Sequence, residues 1–108
     1  DIFGKGLSDL RERLIRCVGE PADKFREDPL RMLRALRFAL RFSFRYEDQT
    51  LQAMKNEAKL LNSLNNSGVK AELRKMLLFT KREVISTELA SLGWEGCPKL
   101  LAALNCEK

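Results

Sequence analysis

The 108-residue sequence predicts an all-α fold of short antiparallel helices with a brief extended segment near the N-terminus. Three observations predict it. From Leu30 onward, apolar residues recur three and four apart. Each periodic run begins at a capping residue or a proline, and the breaks between runs are short and carry Gly, Asn or Ser. Short connections of this kind join helices that pack as antiparallel neighbours.

The opening Asp1-Ile2-Phe3-Gly4-Lys5-Gly6 has no initiating Met and holds two glycines suited to a tight turn, so a piece of a longer protein is expected. Ser8 can cap a short helix through Leu10 to Leu14, and Ile15-Arg16-Cys17-Val18 then alternates as an extended segment before Gly19. Pro21 suits the first turn of a short helix through Phe25. Asp28 as N-cap and Pro29 as first helical residue open the most regular segment, expected from Leu30 to about Phe44. At 100° per residue, Arg31, Arg34, Arg37, Arg41 and Arg45 share an arc of roughly 120°, while Met32, Leu33, Ala35, Leu36, Ala39, Leu40, Phe42 and Phe44 fill most of the rest. One face is packed and one is cationic.

Asp48 can cap the next helix, whose stripe is Leu51, Met54, Ala58 and Leu61 and which ends at Asn65-Asn66-Ser67-Gly68. A further helix uses Val69, Leu73, Met76 and Leu77. Thr80 can cap another, with Val84, Ile85, Leu89 and Leu92 inward and Gly93 as its stop, and Pro98 opens the last, through Leu100, Leu101 and Leu104.

Composition narrows the function. Twenty Lys and Arg against fifteen Asp and Glu give a charge of +5, which favours an anionic partner. No apolar run approaches the roughly 18 residues that cross a bilayer, so no membrane partner is expected and a cytoplasmic location is. Cys17, Cys97 and Cys106 lack zinc or redox spacing. Histidine is absent, which removes Ser-His and Cys-His nucleophiles and leaves carboxylates, arginines and lysines for any chemistry.

Asp28 and Arg31, three apart, can project from one side of the first helical turn as an acceptor beside a fork of donors. Cytosine offers an amino group at N4 and acceptors at N3 and O2; adenine offers an amino group at N6 beside an acceptor at N1. One carboxylate and one guanidinium satisfy either edge, whereas guanine and uracil reverse the pattern. The same residues also make an ordinary N-cap and its ion-pair partner, worth about 1 kcal/mol together. On spacing alone both readings stand.

The run Glu27-Asp28-Pro29-Leu30-Arg31-Met32-Leu33-Arg34-Ala35-Leu36-Arg37-Phe38 resembles the nucleotide-recognition motif of class II tRNA nucleotidyltransferases, the superfamily of CCA-adding enzymes and bacterial poly(A) polymerases. Residues 1–21 are similar to that family's Asp-x-x-Gly-Gly-x-x-Asp-Leu segment and its Ile-Arg-x-Val-Gly continuation, and Ala71-Glu72-Leu73-Arg74-Lys75-Met76-Leu77 resembles a helix of its RNA-binding region. The resemblance covers about residues 1 to 80. It departs at Lys5, an extra residue in the glycine turn, and at Asn66-Ser67-Gly68-Val69, where the family often has Ser-x-Glu-Arg.

The resemblance implies a neck-type helical array: residues 1–20 end the head and form a linker, 21–80 are the neck, and 81–108 start the helical body. Asp28 and Arg31 would serve as a template for the base of CTP or ATP. Glu27 would buttress Arg31, and Arg34 would complete the nucleotide-binding set. Arg37, Arg41, Arg74 and Lys75 are the expected contacts to a tRNA or RNA 3′ end. Family catalysis uses an Asp-x-Asp pair in the head to hold Mg2+, and no such pair occurs in this chain. The chain is therefore expected to hold no metal, to carry no catalytic residue and not to transfer nucleotides without the missing head. Poly(A) synthesis, a non-catalytic RNA-binding helical module and a purely structural bundle are the competing readings.

Overall fold

Long-range pairing decides the N-terminal segment. In the computed structural model, which describes residues 8–9, 13–15, 19–94 and 96–106, β1 (Ser8–Asp9) runs antiparallel to β2 (Leu14–Ile15), and β2 lies parallel to β3 (Arg45–Tyr46). The register sets Ser8 against Ile15 and Leu14 against Arg45. Strands thus stand at Ser8–Asp9 and Leu14, where a helix was expected from Ser8 to Leu14; residues 10–12 of that stretch lie outside the described residues. A cap contributes about 1 kcal/mol, whereas burying an isoleucine contributes roughly 1.5–3 kcal/mol, and Ile15 is fully buried. Two further bonds, Arg45 N to Arg13 O (2.8 Å) and Glu47 N to Ile15 O (2.9 Å), tie the segment down. Of the expected extended stretch, Ile15 is extended. Residues 16–18 and the glycine turn at 1–6 lie outside the described residues.

Six α-helices and one 3₁₀ helix follow among the described residues. In α1 (Pro21–Glu27), Pro21 and Phe25 are buried. Asp28 then turns extended, its Oδ1 accepts from Leu30 N (3.2 Å), and Pro29 already has helical dihedrals. The hydrogen-bonded helix α2 runs Leu30–Phe42, two residues short of expectation. Ser43 takes a left-handed conformation (φ 57°) and Phe44 N turns back to Ala39 O (3.2 Å). Arg45 therefore belongs to β3 and leaves the arginine row of α2, and Phe42, expected on the packed face, is 49% exposed because it falls within about 20° of Arg31 around the helix.

The cap of α3 (Asp48–Asn56) is Glu47 rather than Asp48, its carboxylate accepting from Gln49 N and Thr50 N at 3.1 Å each. The apolar stripe continues into a separate 3₁₀ helix, Ala58–Ser63. Asn65 caps α4 (Asn66–Leu77) by accepting from Gly68 N (2.7 Å), so Asn66, Ser67 and Gly68 form a first turn where a break was expected. Helix α5 (Arg82–Ser91) begins after Lys81, one residue past the expected cap Thr80. It buries Ile85 and Leu89 but leaves Val84 46% exposed, contrary to the inward placement expected of it. Gly93, at φ +75°, closes that end, and α6 spans Pro98–Cys106.

One core gathers Ile15, Phe25, Met32, Leu33, Leu36, Met54, Leu61, Leu73, Met76, Ile85, Leu89, Trp94 and Leu100. Helix α4 is central, packing on α2 at one side and on α6 at the other. Trp94 Nε1 donates to Met54 O (2.8 Å), and Lys99 Nζ donates to the carbonyls of Asn62 and Leu64. The core therefore continues past position 80. Among the described residues, no helix is long and apolar enough to cross a membrane.

Candidate nucleotide-recognition site

The junction of α1 and α2 fixes the residues expected to read a base. A helix C-terminus leaves carbonyls without intrahelical partners. Here Lys24 O takes up two donors, Asp28 N at 3.3 Å and Arg31 Nη1 at 3.1 Å. Arg31 is thus anchored by backbone, and Arg31 N in turn donates to Asp28 O (3.0 Å). Asp28 is anchored through Oδ1 by Leu30 N, and Arg34 Nη1 lies 3.8 Å from its Oδ2. The Asp28 side chain remains 44% exposed. A carboxylate has about four acceptor sites and a guanidinium five donors, so both groups keep unused bonding capacity at the surface. Glu27 reaches Lys24 Nζ (3.8 Å) on its own helix. Its placement beside Lys24 differs from the buttressing of Arg31 that the family resemblance implies.

Helix α1 is held in place by Arg26, whose Nε and Nη2 donate to Glu57 Oε1 (2.9 Å) and Oε2 (3.3 Å) beyond the end of α3. This two-point hydrogen bond, and then the positive charge of Arg26, hold the Glu57 carboxyl below its ordinary range despite some desolvation. The same hydrogen bond raises Arg26.

Sequence reasoning missed Glu72. Its side chain is 4% exposed, on the α4 face that packs against α2, and three cations converge on it. Arg37 Nε lies 3.1 Å from Oε1, close but out of line for a hydrogen bond. Lys75 Nζ is 3.7 Å and Arg34 Nε 4.0 Å from Oε2. Arg34 therefore stands between Asp28 and Glu72. The available signal was a glutamate inside the stripe Val69, Glu72, Leu73, Met76, facing a helix with an arginine row.

Of the residues expected to meet RNA, Arg37, Arg41 and Lys75 line one groove, whose lining does not include the exposed Arg74. Among the described residues, no group of three or more His, Cys, Asp or Glu is placed to hold a metal ion.

The fold and site define a class: a basic helical module whose arginines are oriented by carboxylates and a helix-end carbonyl. Comparison with known proteins makes it specific. The chain is 41% identical over 99 residues to a CCA-adding enzyme of Levilactobacillus brevis and 40% identical over 103 residues to one of Pediococcus pentosaceus. Each match covers 91% of this chain and 25% of the relative. A CCA-adding enzyme of Limosilactobacillus fermentum is 45% identical over 78 residues, 72% of this chain and 19% of that one. No protein-family model matches. The chain belongs to the CCA-adding nucleotidyltransferase superfamily, and it spans about a quarter of the length of the curated relatives it matches.

Proposed function

We propose that this chain is the base-reading segment of a transferase that adds CCA to tRNA 3′ ends from CTP and ATP, releasing pyrophosphate. The observation that carries the proposal is the Asp28–Arg31 arrangement: each group is fixed by a backbone partner, and the carboxylate remains exposed at the start of α2. Asp28 accepts the amino group of cytosine N4 or adenine N6. Arg31 donates to cytosine N3 and O2, or to adenine N1. Guanine or uracil would set a carbonyl oxygen against the carboxylate and an N–H against the guanidinium, at a cost of about 1–3 kcal/mol for each lost pairing. Arg34, between two carboxylates, limits how far Asp28 swings.

The same reading assigns residues 1–20 to the end of a head domain, 21–80 to the neck and 81–108 to the start of the body. Mg2+ supplies charge stabilisation to the transferred phosphate when bound, at carboxylates of the head. Recognition is the part assigned to this chain, and alone it is expected not to transfer nucleotides. Cytoplasmic tRNA is the acceptor that fits.

Incubating the full-length protein with a tRNA lacking its terminal CCA and with CTP as sole nucleotide tests the reaction. Incorporation of CMP is expected. Exclusive use of ATP would turn the assignment to poly(A) synthesis, the rival that shares the motif.

A further inference from the structure

Where α2 ends, Phe38 and Phe42 face Leu78 and Phe79 at the end of α4 across an open groove of ≈ 470 Å³, flanked by Arg37, Arg41 and Lys75. Its apolar surface is unusually bare: Phe42 is 49%, Phe79 37% and Leu78 84% exposed. Single exposed apolar side chains are ordinary, but a contiguous set rimmed by charge marks a binding surface. The rings are already ordered. Phe38 and Phe42 lie 4.7 Å apart, Phe42 and Phe44 6.2 Å, and the Arg41 guanidinium sits 4.8 Å from the Phe79 ring and 5.7 Å from that of Phe42.

We propose that this groove binds an unpaired nucleotide of single-stranded RNA, its base stacked on Phe42 and Phe79 and its phosphates beside Arg41 and Lys75. Ring faces interleaved with cations are how proteins hold single strands without reading sequence, because every base has a π-face and every nucleotide a phosphate. An acidic amphipathic peptide would satisfy the charges too. A peptide helix needs a row of apolar pockets at three- and four-residue spacing, whereas this is one groove within the ordinary small-ligand range of about 300–1,000 Å³, walled by three rings, three cations and Leu78.

Its position adds a geometric constraint. Phe38 and Phe42 follow Arg31 by seven and eleven residues, so helical geometry sets both within about 20° of its face and Phe42 roughly 16 Å along the axis. A strand lying on that face spans the distance in about five nucleotides if stacked at roughly 3.4 Å each, and in fewer if extended. The groove thus suits a nucleotide a few positions behind a growing 3′ end. This placement rests on the base-reading role of Asp28 and Arg31; the stacking claim does not.

The test measures affinity of the full-length protein, by fluorescence anisotropy at fixed salt, for an RNA hairpin with a short single-stranded 3′ overhang and for the same hairpin made blunt. Phe79→Ala and Phe42→Ala are each expected to weaken overhang binding about tenfold and to leave blunt-hairpin binding unchanged. Phe79→Leu keeps the apolar bulk but loses the ring, and is expected to match Phe79→Ala while melting like the parent. Phe79→Trp is expected to restore binding. Val84→Ala, at an exposed apolar site elsewhere, is expected to bind as the parent does. Overhang binding unaffected by both Ala variants, or both hairpins weakened equally, would overturn the proposal. Binding of an acidic amphipathic peptide that Phe79→Ala abolishes, with overhang binding intact, would overturn it in favour of a protein partner. None of these readouts involves nucleotide choice, so failure here is distinct from failure of the base-reading assignment.

Discussion

The two ends of α2 carry cations held in opposite ways. At the start and middle of the helix, Arg31 is pinned by the Lys24 carbonyl, and Arg34 and Arg37 by Asp28 and the buried Glu72. At the far end Arg41 lies over the rings of Phe42 and Phe79. The Lys24 carbonyl fixes Arg31 by direction, which suits reading the edge of a base, and carboxylates hold Arg34 and Arg37 behind it by charge. Ring faces hold a guanidinium by area, which tolerates sliding and suits sequence-independent contact. One helix thus presents a specific end and a permissive one.

The largest effect is expected at Glu72. Glu72→Ala removes the buried anion that three partly exposed cations share, and unfolding in urea is expected to show a loss of about 1–3 kcal/mol. Arg41→Ala, at the permissive end, is expected to cost about 0.5–1 kcal/mol. Equal costs would erase the contrast between the ends.

A smaller, pH-dependent effect is expected where α1 is fastened. Because Arg26 depresses the Glu57 carboxyl, the folded state binds a proton there less readily than the unfolded state. The stabilisation is present above the ordinary glutamate value of about 4.3 and is lost as pH falls through the lower folded value. Thermal melts of the parent and Glu57→Gln are expected to differ near neutrality and to converge in acid. A gap that persists there would mean that the pair does not anchor the specific end through its charge.

The smallest effect is expected at Tyr46 in β3, just past the far end of α2. Among the described residues its buried hydroxyl has no hydrogen-bond partner, and burial, then the charge of Glu88, raises its pKa. Tyr46→Phe removes an unsatisfied group, so its urea midpoint is expected to be unchanged or higher by the equivalent of at most about 1 kcal/mol. A clear loss would show that the hydroxyl has a structural role.

What the sequence disclosed depended on the range of the forces involved. The Asp28-Pro29 start, the buried row Met32, Leu33, Leu36 and the glycine stop at Gly93 are set by neighbours within a turn or two, and they were readable. The joining of β2 to β3 depends on residues about 30 positions apart, and the pairing of Ser8 with Ile15, although closer in sequence, is also between strands; periodicity reports neither. The cap slipped by one residue at Glu47 because adjacent carboxylates compete for the same amides, and at Lys81 because no side chain among the described residues caps that helix and Thr80 has no hold on its start. Within the candidate site, the spacing of Asp28 and Arg31 left two readings open, and the resemblance of the run from Glu27 to Phe38 singled the pair out. Glu72 did not, because its partners lie on another helix. Nor did the groove, which exists only where the ends of α2 and α4 meet.

The most direct test of the base-reading assignment is nucleotide choice by the full-length protein carrying Asp28→Ala or Arg31→Ala, supplied in turn with each of the four nucleoside triphosphates and a tRNA acceptor. The account predicts that the advantage of CTP and ATP over GTP and UTP shrinks at least tenfold, about 1.4 kcal/mol, while the melting temperature stays within a few degrees of the parent. Parental discrimination among the four nucleotides in both variants would contradict it.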